Sequence, residues 1–136
     1  MSMNLKNRVA IAAGTIGLVW GSLVSAAPPA SVSGTWSIVA NQSGGSLVLS
    51  QGIAGTQCKP INGTVFVNVN AVRGFYCPAT GRIAFYHKNS AGVVIQMYIG
   101  NVSDAGTPNR MGGTFQALDT AAGSGSLGEF HFQAQK

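Results

Sequence analysis

Glu129 and His131 are the titratable side chains whose spacing comes nearest to that of a reactive pair. Residues two apart on a β-strand share one face, so these side chains could act as a general acid and base or as two ligands of one metal ion. Zinc takes three or four ligands, and the other histidine, His87, falls on a different predicted strand. We therefore predict that Glu129 and His131 are polar side chains on a solvent-facing surface, and we predict no metal site.

Other catalytic patterns are weak as well. The acidic residues Asp104, Asp119 and Glu129 are far apart in the sequence, so a glycosidase-type pair would need two distant loops to meet. Residues 123–128 spell G-x-G-x-x-G, but the dinucleotide motif requires a helix after it, and a strand-like segment follows here. The sequence also lacks a G-x-S-x-G motif. We predict a flexible loop at 123–128, no cofactor and no enzymatic activity.

The first 26 residues have the pattern of a secretory signal peptide. Lys6 and Arg8 precede an uncharged, mostly apolar run that ends in small residues at 24–26. Pro28 disfavours a later cut, so we predict cleavage after Ala26. The alternative is an uncleaved membrane anchor, but the apolar run is shorter than the roughly 20 residues that a spanning helix needs. Because no cysteine lies near the cleavage site to carry a lipid, we predict a soluble periplasmic or secreted protein.

Cys58 and Cys77 are the only cysteines in the chain. In an exported protein such a pair indicates a disulfide. A bridge between them would close a loop of about 20 residues, which is worth roughly 3 kcal/mol through loop-closure entropy. The alternative is a redox or metal-binding pair, but the spacing is far from C-x-x-C.

Basic residues outnumber acidic ones, with eight Lys and Arg against three Asp and Glu. Two of the eight lie in the predicted signal peptide, and the others are spaced singly along the chain. A nucleic-acid binder normally concentrates its cations on one face. We therefore predict no nucleic-acid partner, and no membrane partner once the signal peptide is removed.

Beyond residue 34, apolar residues recur with a period of two, which predicts β-strands. Seven segments show this pattern, at 35–40, 46–50, 64–70, 82–88, 93–99, 111–117 and 129–134. Weaker strands around Gln57 and Val72 bring the expected number to about eight. The turn signal from Pro78 to Gly81 predicts that 73–77 pairs with 82–88.

Strands joined by such short turns form an antiparallel meander. Closing it removes both exposed edges, so we predict that 130–135 pairs with 35–40. The sequence therefore predicts an all-β fold, an up-and-down meander closed into a small β-barrel, with an open sandwich as the alternative. We expect residues 34–136 to form one domain and 27–33 a flexible N-terminal segment.

One face of the predicted strands carries large side chains that we expect to line a ligand site inside the barrel. These residues are Trp36, Phe85, His87, Met97, Met111, Phe115 and Phe132. Alternatively they simply fill the interior, as in many small eight-stranded barrels. Apolar and aromatic residues off this face are expected to point outward, where they would form a patch for a partner or lie beneath the 119–127 loop. They are Phe66, Tyr76, Tyr86, Val94 and Tyr98.

The first predicted strand opens with Gly34-Thr35-Trp36, and the closing strand is rich in Phe. With its short meandering strands, the chain resembles the avidin and lipocalin group of small β-barrels. The resemblance implies a closed barrel that covers most of the chain beyond the signal peptide.

Three functions are compatible with the sequence. The first is an exported binding module that holds a small apolar or amphiphilic molecule in the mouth of the barrel. The second is an exported inhibitor of a protease or lysozyme that presents residues 27–31 ahead of the first strand. The third is a structural or surface-interaction protein that uses an apolar outer face. The sequence does not predict the oligomeric state.

Overall fold

The computed structural model of the protein describes residues 27–104, 109–118 and 127–136. The predicted signal peptide at 1–26 lies outside these residues, as do 123–126 of the G-x-G-x-x-G segment. Within the described ranges, no helix is long and apolar enough to cross a membrane.

Antiparallel strands follow one another around a closed barrel. They are β1 (Gly34–Ala40), β2 (Ser43–Gln51), β3 (Lys59–Val65), β4 (Val67–Cys77), β5 (Arg82–Lys88), β6 (Val94–Ser103), β7 (Arg110–Ala117) and β8 (Gly128–Gln135). The last strand closes on the first, with Ala134 opposite Ile38, and β4 pairs with β5, with Gly74 opposite Phe85. The predicted meander, its closure and both predicted pairings are confirmed, and the open sandwich is excluded.

Two hairpins show why the chain reverses where it does. Asn41 and Gln42 form the turn between β1 and β2, with φ angles of 43° and 72°. Two successive residues with positive φ have the twist that suits a tight hairpin. Between β4 and β5, the Cys77 carbonyl accepts hydrogen bonds from the amides of Thr80 at 3.2 Å and Gly81 at 2.8 Å. This is the tight turn that the sequence predicts.

The prediction of a single strand over 64–70 is wrong, because the chain reverses within that segment. β3 ends at Val65, β4 begins at Val67, and these two residues pair across the hairpin. Phe66 lies between them with φ 61°, a left-handed conformation that bulky residues rarely adopt. The segment reads as one strand because it alternates valine with other residues and contains neither glycine nor proline to mark a turn.

β6 contains a bulge near its start. Ile95 and Gln96 are adjacent, yet both are buried. The register against β5 shifts between His87 and Lys88, so one extra residue is accommodated there. Because side chains alternate between faces with a period of two, one extra residue exchanges the inner and outer faces of the rest of the strand.

Several predicted orientations are therefore wrong. Met97, which we expected inside the barrel, lies outside with 45% of its surface exposed, beside Ile99. Tyr98, expected outside, is buried in the core. On β4, Tyr76 was also expected outside but is buried, and its neighbour Phe75 lies outside. In both strands apolar residues occur on both faces, so alternation alone did not identify the inner one.

One end of the barrel, which we call the disulfide end, carries the predicted bridge between Cys58 and Cys77. The bridge lies one step beyond the pairing of Lys59 with Tyr76, so it fastens the outer ends of β3 and β4. A structural disulfide of this kind indicates an oxidising compartment.

The segment at 27–33, expected to be flexible, lies against the disulfide end. Val32 is fully buried, and its carbonyl accepts a hydrogen bond from Trp36 Nε1 at 2.8 Å. The Tyr76 hydroxyl donates to the Pro29 carbonyl at 2.5 Å. These contacts cover the disulfide end of the barrel.

Candidate ligand site at the Phe66 end

Aromatic side chains fill the middle of the barrel. Neighbouring strands place Phe85, Tyr98 and Phe115 side by side, with consecutive ring centroids 4.7 and 4.9 Å apart and nearly parallel planes. Phe132 meets Tyr98 edge-on at 5.1 Å. Both geometries are favourable for aromatic pairs. The centre of the barrel is therefore occupied by the protein's own side chains.

Phe132 fits into this core because glycine lies beside it. A Cβ atom on Gly100 would lie 3.0 Å from Cζ of Phe132 and would collide with the Gly112 carbonyl oxygen. Large and small residues thus complement each other, as close packing of a small barrel requires.

The predicted ligand-lining residues fall into three groups. Five are core residues with at most 4% of their surface exposed: Trp36, Phe85, Met111, Phe115 and Phe132. Met97 lies on the outer surface. His87 is 1% exposed and lies at the edge of the core, next to polar side chains. The five core residues serve to fill the interior, and His87 is the predicted residue that the structure places at a candidate site.

Three depressions on the described surface open on the outside of the barrel, along β1, β7 and β8. Their lining is mixed, with polar residues such as Ser37, His131 and Gln133 beside apolar ones such as Val39 and Phe132. Glu129 and His131 are both exposed on β8, as predicted. Among the described residues, no three His, Cys, Asp or Glu side chains come together in a way that could hold a metal ion.

The end of the barrel opposite the disulfide contains a buried polar group. We call it the Phe66 end, after the residue at the β3–β4 turn. His87 Nδ1 lies 2.8 Å from Gln96 Oε1, and the Tyr98 hydroxyl donates to the same oxygen at 2.8 Å. Because an amide oxygen only accepts hydrogen bonds, the His87 proton is on Nδ1 in this arrangement. The other ring nitrogen, Nε2, is then an acceptor.

His87 Nε2 is buried and has no hydrogen-bond partner among the described residues. Buried polar atoms are nearly always paired, and an unpaired one costs about 1–3 kcal/mol. Burial lowers the pKa of His87, although the hydrogen bond to Gln96 opposes this shift. The imidazole is therefore neutral at pH 7, which keeps Nε2 available as an acceptor.

Tyr98 is fixed as the donor in this group. Its burial raises the pKa of the phenol well above its ordinary value, so the hydroxyl stays protonated. The Gln96 amide oxygen thereby receives two hydrogen bonds, one from each ring. These bonds hold the His87 imidazole in place and leave Nε2 as its one free polar atom among the described residues.

Phe66 packs over this group. Its ring centroid is 6.2 Å from that of His87 on β5. On the other side, the ring lies against Gly45 of β2, where an added Cβ atom would be only 2.6 Å from Phe66 Cδ1. The ring thus reaches across the barrel end between the two strands. The Phe66 amide donates to the Ser46 carbonyl at 2.8 Å, which helps to hold the strained backbone in place.

This arrangement can accept one hydrogen bond beneath an aromatic cover. A molecule suited to it would carry an N–H or O–H donor on an apolar body about the size of the Phe66 ring. The donor would pair with His87 Nε2, and the body would take the place of the ring. Strained backbone is frequent at ligand clamps and switch regions, which is consistent with a cover that can be displaced.

Sequence reasoning identified one member of the site and missed three. His87 was predicted among the residues that line the inside of the barrel. Gln96 and Tyr98 were missed because the bulge in β6 reverses the predicted faces, and Phe66 because its turn has no sequence signal. The available sequence signal was that His87 on β5 and Gln96 on β6, which pair with each other, are polar residues in strands that are otherwise largely apolar.

The fold and the site together define a small, closed, antiparallel β-barrel with a filled core and a polar group beneath one end. No protein-family model matches the chain, and no curated protein sequence matches it.

Proposed function

We propose that the protein is an exported binding module that takes a small amphiphilic molecule at the Phe66 end. The observation that carries this proposal is a buried acceptor, His87 Nε2, that has no hydrogen-bond partner in the part of the chain that the structure describes. A ligand donor at this atom would restore the missing hydrogen bond. The apolar part of the ligand would displace Phe66 and let the strained backbone relax.

The filled core limits the size of the ligand. Because Phe85, Tyr98 and Phe115 stack against one another, no deep cup is left among the described residues for a long lipid-like molecule. The space that becomes available when Phe66 moves is about that of one aromatic ring. A phenol-like molecule has the required size and donor.

The disulfide supports export, since it indicates an oxidising compartment. The predicted signal peptide at 1–26 supports the same conclusion and favours the periplasm or the extracellular medium. The resemblance to avidins and lipocalins is compatible with a ligand bound at the mouth of a barrel. We propose that the protein binds without catalysis, with the site contributing one imidazole acceptor and apolar contacts.

The structure favours this function over a protease or lysozyme inhibitor that presents residues 27–31. The Pro29 carbonyl is bound by Tyr76, the Ala30 carbonyl accepts from Gln51 Nε2 at 3.2 Å, and Val32 is buried. A segment held in this way is poorly suited to insertion into the active site of another protein.

The test compares phenol with toluene, which has the same ring but lacks the donor. Binding is measured by calorimetry and by amide chemical shifts in the protein and in the His87→Leu variant. We expect phenol to shift the resonances of Phe66, His87 and Gln96. We also expect its affinity relative to toluene to fall about tenfold in the variant, because the acceptor is lost.

His131→Leu is the matched control, because it removes an exposed histidine on β8. It should leave the preference for phenol unchanged. If His87→Leu fails to fold, Phe66→Gly provides the second test, because it opens the site without touching the polar group. The proposal is wrong if neither the wild-type protein nor Phe66→Gly binds phenol, or if phenol and toluene bind equally well.

A further inference from the structure

The outer face of β4, β5 and β6 carries a continuous apolar surface. Phe75, Ala84 and Ile99 lie directly opposite one another on the three strands, and Tyr86 pairs with Met97 in the next row. Phe75, Met97 and Ile99 are 43%, 45% and 44% exposed. We call these five residues the outer patch. Contiguous exposed apolar surface of this kind is typical of interaction sites.

Three cations border the outer patch. Arg73 lies opposite Tyr86, and Arg82 lies opposite Asn101 at the other side. The Lys88 Nζ atom lies 5.2 Å from the centre of the Tyr86 ring. Strands β4 to β6 contain no acidic residue, and neither do the flanking strands β3 and β7. The patch is therefore an apolar centre with a positive border, and no acidic residue lies on the strands that carry or flank it.

We infer that the outer patch docks a protein partner whose contact surface has an apolar centre and acidic groups around it. The apolar centre of such a partner would be buried against the apolar centre of the patch, and its acidic groups would face the cations at the border. Interfaces commonly combine an apolar core with a polar rim, and complementary charge at the rim speeds association and excludes wrong partners. This inference is independent of the ligand site, because the patch lies on the outside of the barrel.

A second copy of this chain is a poor match for the same surface. In a symmetric dimer each patch would face itself, which brings Arg73, Arg82 and Lys88 of both copies together without any acidic residue to neutralise them. Like charges across an interface disfavour association.

A lipid membrane also fits the patch less well than an acidic protein does. Membrane-surface segments insert protruding apolar side chains into the bilayer, whereas Phe75, Met97 and Ile99 are each less than half exposed. Lipid-binding basic clusters also commonly contain about four to eight cations, more than the three found here.

The experiment uses a synthetic peptide with a central leucine-phenylalanine-leucine segment and two glutamates at each end. Two control peptides replace the glutamates by lysines or the central residues by serines. Binding is followed by amide chemical shifts in the whole protein. We expect only the acidic apolar peptide to bind, with shifts confined to the outer patch and its border, and we expect added salt to weaken the binding.

Two variants locate the binding surface. Phe75→Ser combined with Ile99→Ser should weaken binding of the acidic peptide by about tenfold or more, since it removes the centre of the patch. Val39→Ser combined with Val48→Ser is the matched control, because these residues are 40% and 39% exposed on β1 and β2. It should leave the affinity unchanged. Arg73→Gln should weaken binding without altering the fold, and this variant tests the border separately.

The inference is overturned if the lysine peptide binds as well as the glutamate peptide, or if the control pair weakens binding as much as the patch pair. It is also overturned if the acidic peptide does not bind the patch, whether or not vesicles of anionic phosphatidylglycerol do. The same holds if sedimentation shows a dimer that Phe75→Ser combined with Ile99→Ser dissociates.

Discussion

The rings of Phe66 and His87 lie 6.2 Å apart, tilted by 51°, and come from different hairpins that meet at one end of the barrel. Each of the two residues has a feature that costs free energy, and the two features differ. Phe66 has φ 61°, and His87 has a buried nitrogen without a partner among the described residues. Because both features occur at one place, a single ligand could relieve both of them. This coincidence supports the proposed binding site at this end of the barrel rather than in the aromatic core.

The strain at Phe66 leads to an unusual order of variant stabilities. Glycine normally costs about 0.5–1 kcal/mol more than alanine within a strand because it loses more backbone entropy. At φ 61°, however, glycine is unstrained and alanine is not. We expect Phe66→Gly to be about 1 kcal/mol more stable than Phe66→Ala, as measured by urea unfolding. Equal stabilities, or a more stable alanine variant, would show that the backbone here is not strained.

The buried imidazole predicts a loss of stability in mild acid. Burial lowers the pKa of His87 in the folded state below its ordinary value of 6.5. Above pH 6.5 the side chain is neutral in both states, so its stability contribution is complete. Below that pH the unfolded chain takes up the proton first, and stability falls until the folded-state pKa is passed. Unfolding free energies measured between pH 8 and pH 4 should show this decrease.

Histidine variants separate this effect from those of other groups. His87→Gln should make the unfolding free energy less dependent on pH below 6.5, because the buried titrating group is gone. The matched control, His131→Gln, replaces an exposed histidine on β8 instead. A pH profile that is the same in the wild type and in His87→Gln would exclude His87 as the cause.

Much of the barrel could be predicted from the sequence because alternation and turn residues are local signals. The Pro78–Gly81 turn follows from such signals, and the closure of β8 on β1 follows from the need to remove exposed edges; both are present. The reversal at Phe66 has no local signal, since an aromatic residue with positive φ is held there by contacts across the barrel, including Gly45.

The orientation of β6 was not predictable for a related reason. Its outer face, with Met97 and Ile99, is more apolar than its inner face, which carries Gln96, Tyr98 and Gly100. Hydrophobicity alone therefore points to the wrong face. The inner residues are explained only by their neighbours: Gln96 by the two rings that bind it, and Gly100 by Phe132. The candidate site depends on these long-range relationships, so sequence analysis found only His87.

Gly100 and Gly112 offer a test of the packing in the core. A Cβ on Gly100 would lie 3.0 Å from Phe132 and would strike backbone, whereas a Cβ on Gly112 would meet nothing closer than 3.5 Å. Gly100→Ala should therefore destabilise the protein by about 1–3 kcal/mol through overpacking. Gly112→Ala should change stability by no more than about 0.5 kcal/mol. Thermal melting measures both, and similar losses in the two variants would contradict the tight fit beside Phe132.

The disulfide should account for a substantial part of the stability of this small barrel. Cys58 and Cys77 are separated by 19 positions, and closing a loop of this length is worth roughly 3 kcal/mol. Reduction should lower the urea midpoint accordingly, because β3 and β4 are then fastened only by their hydrogen bonds. The double variant with Cys58→Ser and Cys77→Ser should match the reduced protein and should not respond to reductant. If reduced and oxidised protein unfold at the same urea concentration, the bridge does not stabilise the fold, and its role at the disulfide end must lie elsewhere.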